Sequence, residues 1–139
     1  MRNLRIAGSA FARTEAQVEG EVRLLTFRGA SGDIDDTALG EDEWVPFVLT
    51  IPESAKKTPA PVALYGHALM ADRNLLLPLV VPLNSERGYA TLAIDHPNHG
   101  ARATANGGHI ATLMTPASVP RLVGLLAQSP VDLVSMLKA

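Results

Sequence analysis

Three of the four histidines, His67, His96 and His99, together with Asp95, fall in two short polar segments that each break off an apolar run. The runs are Pro61 to Leu69 (PVALYGHAL) and Tyr89 to Arg102 (YATLAIDHPNHGAR). Side chains of these types serve as zinc ligands or as proton-handling and hydrogen-bonding groups around a reacting centre. Asp95, His96, His99 and His109 supply enough nitrogen and oxygen donors for zinc. Their spacing argues against it, since Asp-His-Pro-Asn-His matches neither His-Glu-x-x-His nor an alternating His-x-His-x-Asp-His arrangement, and Pro97 precludes the regular helix that would align two ligands. A metal-dependent hydrolase is therefore the lesser alternative, and no metal site is assigned. The chain has no cysteine, which excludes a thiol nucleophile, a thiolate metal site and disulfides. The nearest approach to a serine nucleophile turn, Gly-x-Ser-x-Gly, is Gly29-Ala30-Ser31-Gly32-Asp33. Asp33 stands at its last position and no helical pattern follows, so Ser31 is read as a turn residue.

The elements that must position the two polar segments can be read from the runs before them. Val62 to Tyr65 and Ala90 to Ile94 show no alternation of apolar and polar residues, which predicts strands covered on both faces and hence a parallel pair. A parallel pair needs a crossover of a dozen or more residues, and Ala68 to Gly88 supplies it. The Leu-rich stretch from Asn74 to Arg87 is expected to be helical, kinked or split at Pro78 and Pro82, with Gly88 as its stop. In such βαβ units ligands sit beyond the carboxyl ends of the strands, where Gly66-His67-Ala68-Leu69 and Asp95 to Gly100 fall.

Around this unit, Leu4 to Phe11 and Val18 to Phe27 suit antiparallel strands, with Val18, Val22 and Leu24 opposite Glu19, Glu21 and Arg23. Gly29 to Glu43 is acidic and glycine-containing and predicts a solvated loop; its carboxylate spacing does not fit a calcium-binding EF-hand. Trp44 to Ile51 resumes as a strand, placed at a sheet edge by Pro46, and Pro52 to Pro59 is a surface turn. Ser118 is expected to cap a helix burying Val119, Leu122, Val123 and Leu126. Ser129-Pro130-Val131-Asp132 predicts a second helix start, over Pro130 to Ala139. A helix there should lead into another strand, so the sequence reads as cut.

With 139 residues and 47% apolar content the chain allows one domain with a real core. Its longest apolar run, Leu75 to Leu83, is too short for a membrane span and contains two prolines, and Met1 to Arg13 lacks a signal-peptide apolar region. The compartment stays open. A net charge of −2 and 4% aromatic content argue against a nucleic-acid surface.

From about Val45 to Ala139 the sequence resembles the amino-terminal part of an α/β-hydrolase of the bacterial esterase or lipase-like kind. The resemblance rests on Val62-Ala63-Leu64-Tyr65 ending in Gly66-His67-Ala68-Leu69, a helix, and then Gly88 to Asp95 with Asn98-His99-Gly100 close behind. It implies a partial α/β-hydrolase fold: antiparallel strands leading into a parallel βαβ unit, with residues 1–139 forming the amino-terminal portion of one domain. It also implies that the Leu69 backbone N–H belongs to an oxyanion hole, that His67 braces the loop, and that Met70 and His99 line or stiffen the rim. Asp95 would shape the rim, Ala68 stands where the family commonly has glycine, and His96 and His109 are expected to be exposed. The nucleophile, with the triad acid and histidine, follows these elements in the family, so this chain would contribute the oxyanion strand to a carboxylic-ester hydrolase and be inactive alone. No cofactor is implied. The competing expectation is a non-catalytic module that self-associates as a homo-oligomer through an exposed apolar sheet edge at Tyr89 to Ile94.

Overall fold

The computed structural model describes residues 1–28, 34, 41–103 and 116–138. They form an α/β fold with five strands, β1 (Arg2–Ala7), β2 (Thr14–Thr26), β3 (Glu41–Pro52), β4 (Val62–Tyr65) and β5 (Ala90–Ile94), and two α-helices, α1 (Leu77–Glu86) and α2 (Val119–Met136). One mixed sheet runs in the order β1-β2-β3-β5-β4. Every neighbouring pair is antiparallel except β4 and β5, which run parallel with Val62 opposite Ala90 and Tyr65 opposite Ala93.

The expected βαβ unit is present, with β5 buried throughout and apolar at every position but Thr91. Its side chains divide between the two faces. Leu92 and Ile94 join Val22, Leu24, Val45, Phe47 and Met136 in one core cluster, with Leu133 packed against it, so α2 covers that face. Ala93 joins Val48, Leu77 and Val81 in the other, so α1 covers the opposite face. The Asn84 side-chain amide donates to Thr91 Oγ1 at 3.0 Å and ties α1 to β5. Helix α1 is shorter than the expected Asn74 to Arg87. Pro78 sits in its first turn, where a missing N–H costs nothing, and Pro82 lies inside it, depriving the Pro78 carbonyl of its usual donor. Gly88, at φ 79°, ends the helix as expected; the Gly88 and Tyr89 amides donate back to the Ser85 and Asn84 carbonyls.

Four expectations need correction. The acidic loop ends earlier than Glu43: Glu41, Asp42 and Glu43 already pair with Thr26, Leu25 and Leu24, because the long β2 offers them a partner and Arg23 neutralises Asp42. β3 is an interior strand, not an edge, over Phe47 to Thr50, where β5 pairs with it. Pro46 is tolerated because it lies one residue beyond that ladder. Among the described residues the sheet edges are β1 and β4, since β5 is paired on both sides. Finally, α2 is one continuous helix. Pro130 lies inside it, and Ser129, instead of capping a new start, donates its hydroxyl to the Leu125 carbonyl at 2.8 Å. The helix also turns a different face inward. Val119, Val123 and Leu126 are exposed, while Leu125, Gln128, Asp132 and Met136 are buried.

Residues 53–56 form a one-turn surface 3₁₀ helix within the expected turn. Ser31, the Gly29 to Asp33 pentapeptide and His109 lie outside the described residues. Among the described residues no helix is long and apolar enough to cross a membrane.

Candidate functional site

Because β4 and β5 are parallel and in register, the segments that follow Tyr65 and Ile94 leave the sheet at the same lip. His67 joins them. It is buried, its Nδ1–H donates to the Ala68 carbonyl at 2.9 Å, and its Nε2 accepts the backbone N–H of His96 at 2.9 Å. These two bonds require a neutral ring with the proton on Nδ1, since an N–H can donate only to an unprotonated nitrogen.

The imidazoles of His96 and His99 pack on His67, with centroid separations of 4.5 Å and 4.9 Å and both rings tilted by 52°. His99 is 1% exposed, so it lies beneath the rim and does not line it; its Nδ1–H donates to the Pro97 carbonyl at 2.9 Å. His96, expected at the surface, is half-buried. Burial, and then the neighbouring His67, His99 and Arg102, push it down to about 4. Both nitrogens of His67 are already engaged, so this ring offers no lone pair to an ion. Among the described residues no group of three or more histidines and carboxylates is arranged to hold a metal.

Leu69 and Met70 stand at the outer lip, 51% and 66% exposed. Met70 rather than Ala68 takes the left-handed conformation that turns the chain, at φ 66°, so the Cβ of Ala68 is accommodated without strain there. The Ala71 amide donates to the Ala68 carbonyl across this turn. Among the described residues nothing accepts the Leu69 N–H.

Beneath the lip lies Asp95, 0% exposed and fully engaged. Its carboxylate accepts the Arg73 amide at 2.8 Å and the Ala101 amide at 2.9 Å, and is ion-paired to the Arg73 guanidinium. One buried carboxylate therefore holds the start of the crossover and the far end of the rim together. Gly100 follows from this, since at φ 49° a Cβ on it would overlap the Asp95 carboxylate.

A second support could not be anticipated from the residue pattern. Arg102, on the one-turn 3₁₀ helix Gly100–Arg102, has a buried side chain that donates to four oxygens. It binds Glu43 through two bonds of 2.9 Å and 2.6 Å, the Asp95 carbonyl at 2.9 Å and Asp132 Oδ2 at 2.6 Å. Gln128 donates to the other Asp132 oxygen at 2.6 Å and to the Leu25 carbonyl at 3.0 Å, and accepts the Phe27 N–H at 2.8 Å. Helix α2, the end of β2, β3 and the rim are thereby linked through polar groups. The carboxylates hold Arg102 above its ordinary value against the effect of burial, whereas burial outweighs Arg102 and pushes Asp132 up. The Gln128 and Asp132 spacing of i, i+4 on α2 was the one available signal, and it is masked by the surrounding aliphatic residues.

Compared with known protein families, with curated proteins and with solved structures, this chain matches none of them.

Proposed function

We propose that residues 1–139 form the oxyanion-side part of an α/β-hydrolase-like carboxylic-ester hydrolase. In this reading the Leu69 N–H stabilises the negative charge of a tetrahedral intermediate, His67 braces the loop that carries it, and Met70 and His99 shape the rim. One donor of this kind lowers the barrier by about 3 kcal/mol. The nucleophile and its acid and base lie outside these residues, since the 139-residue sequence contains no Gly-x-Ser-x-Gly. The observation that carries the reading is a backbone N–H, that of Leu69, which nothing among the described residues accepts, beyond the carboxyl end of a parallel strand and in a loop clamped from below by His67 and Asp95. The substrate is a small-molecule ester.

The test is a p-nitrophenyl ester assay on the 139-residue chain alone and on the chain joined to the sequence encoded after Ala139. Inactivity of the first and serine-dependent turnover by the second supports the proposal. Turnover by the short chain that survives replacement of every serine by alanine refutes it.

A second reading, a non-catalytic module that self-associates, is favoured by different features. Among the described residues β4 is paired on one side only, and the outward face of α2 carries exposed Val119, Val123, Leu126 and Val134, followed by exposed Leu137. A native stop after Ala139 and a concentration-dependent oligomer would favour it over the hydrolase.

A further inference from the structure

Three buried or half-buried imidazoles, with His96 and His99 each within 5 Å of His67 at a loop junction, are a costly arrangement if they serve packing alone. The His96 N–H to His67 Nε2 bond joins the two rim segments at this point, and it exists only while His67 is neutral. We propose that the His67, His96 and His99 cluster is an acid-sensitive clasp: a proton on His67 Nε2 turns the acceptor of the His96 N–H into a second donor and releases the 95–102 segment from the 66–70 loop.

The groups around the cluster favour release over accommodation of the proton. From the rim, His96 and His99 face His67, and Arg102 adds a fixed positive charge. Asp95, the nearest anion, is committed to the Arg73 guanidinium and two amides. From α2, Asp132 is held by Arg102 and Gln128, and Leu133 presents an apolar carbon near Gly66. The His96 Nδ1 is buried with no hydrogen-bond partner among the described residues, so no bond there in the closed form rewards its protonation. The proton is therefore best taken up by opening, and the loop that opens is the one bearing Leu69. The clasp is a property of this chain whether or not the hydrolase reading holds.

The experiment uses the isotope-labelled 139-residue chain. Hydrogen-exchange protection of the His96 amide is followed from about pH 7 to about pH 4.5, with the ring-nitrogen shifts of His67 and the far-ultraviolet circular dichroism recorded alongside. His67→Gln places a non-titrating carbonyl oxygen where Nε2 accepts. The expected result is a fall of about tenfold or more in His96 protection as His67 takes its proton, at unchanged secondary structure, and its absence in His67→Gln. Protection that persists once the His67 ring is charged overturns the proposal. So does a loss that coincides with global unfolding, or one that is equal in His67→Gln. If that variant does not fold, the ring and amide titrations of the unaltered chain decide alone.

Discussion

Replacing Arg102 by methionine tests the polar support beneath the rim most directly, because the side-chain volume is nearly kept while every charge interaction is lost. Three terms follow from the geometry. The bidentate contact to Glu43, whose side chain is 38% exposed, contributes at most about 1 kcal/mol. The Asp95 carbonyl loses a donor, at about 1 kcal/mol. Asp132, 1% exposed, is left as a buried carboxylate with only Gln128 beside it, and removing one partner of such a pair costs about 3–5 kcal/mol. The last term dominates. Against a total stability of about 5–15 kcal/mol for a domain, the variant should be close to unfolding at ambient temperature.

The same geometry requires a rescue. Asp132→Asn removes the stranded charge, so Arg102→Met with Asp132→Asn should recover about 2 kcal/mol or more relative to the sum of the single changes. It also requires a pH dependence. Burial raises the Asp132 carboxyl above its ordinary value even with Arg102 present, and without Arg102 it rises further. An acid raised in the folded state holds its proton better there than in the unfolded chain. Its ionised form therefore destabilises at neutral pH, and the penalty is relieved as pH falls through the folded-state value. Arg102→Met should accordingly be hurt more at about pH 7 than at about pH 5. Urea unfolding followed by fluorescence of Trp44, the single tryptophan, and by circular dichroism measures all four corners of the cycle. A loss below about 1 kcal/mol, or no coupling between the two sites, would refute the assignment of Arg102 as the tie between rim and helix.

Other expectations follow from single features. His96 is pushed down to about 4 from 6.5, so the unfolded chain takes this proton first; its contribution to stability is complete above about pH 6.5 and falls as pH drops towards 4, by about 1–2 kcal/mol after allowance for partial exposure. Thermal midpoints across that window, compared with His96→Gln, measure it. Gly100→Ala should destabilise by about 2 kcal/mol or more and shift the Arg73 and Ala101 amide resonances, because its Cβ would displace the Asp95 carboxylate; unchanged amides would contradict the role given to Asp95. Pro130→Ala restores a donor for the Leu126 carbonyl inside α2 and should stabilise by about 1–2 kcal/mol in a urea titration. Val62→Lys on β4 should lower any self-association seen by light scattering if the sheet edge mediates it, and Val123→Lys should do so if α2 does.

Much of the parallel unit was legible in the residues. Val62 to Tyr65 and Ala90 to Ile94 show no alternation of apolar and polar residues, and the structure gives them those limits and runs them parallel. Coverage of both faces holds for β5 alone; β4, at the sheet edge, is only partly covered, with Val62 45% exposed. Gly88 marked the helix end because only glycine adopts its positive φ cheaply. The two polar loops had to meet at one lip once the strands were parallel. Helix α2 was misread for a definite reason. Apolar residues occur all round it, so periodicity could not say which side faces the sheet, and its inward face includes Gln128 and Asp132, which sequence logic places outside. They are buried because Leu25, Phe27 and Arg102, 103, 101 and 30 residues away, supply their partners. Local residue types thus determined the strands, the turns and the chemistry available at the lip. Which polar groups are hidden, which histidine nitrogen accepts and which strand is the edge were decided only when distant segments came together, since each depends on a partner the local sequence does not contain.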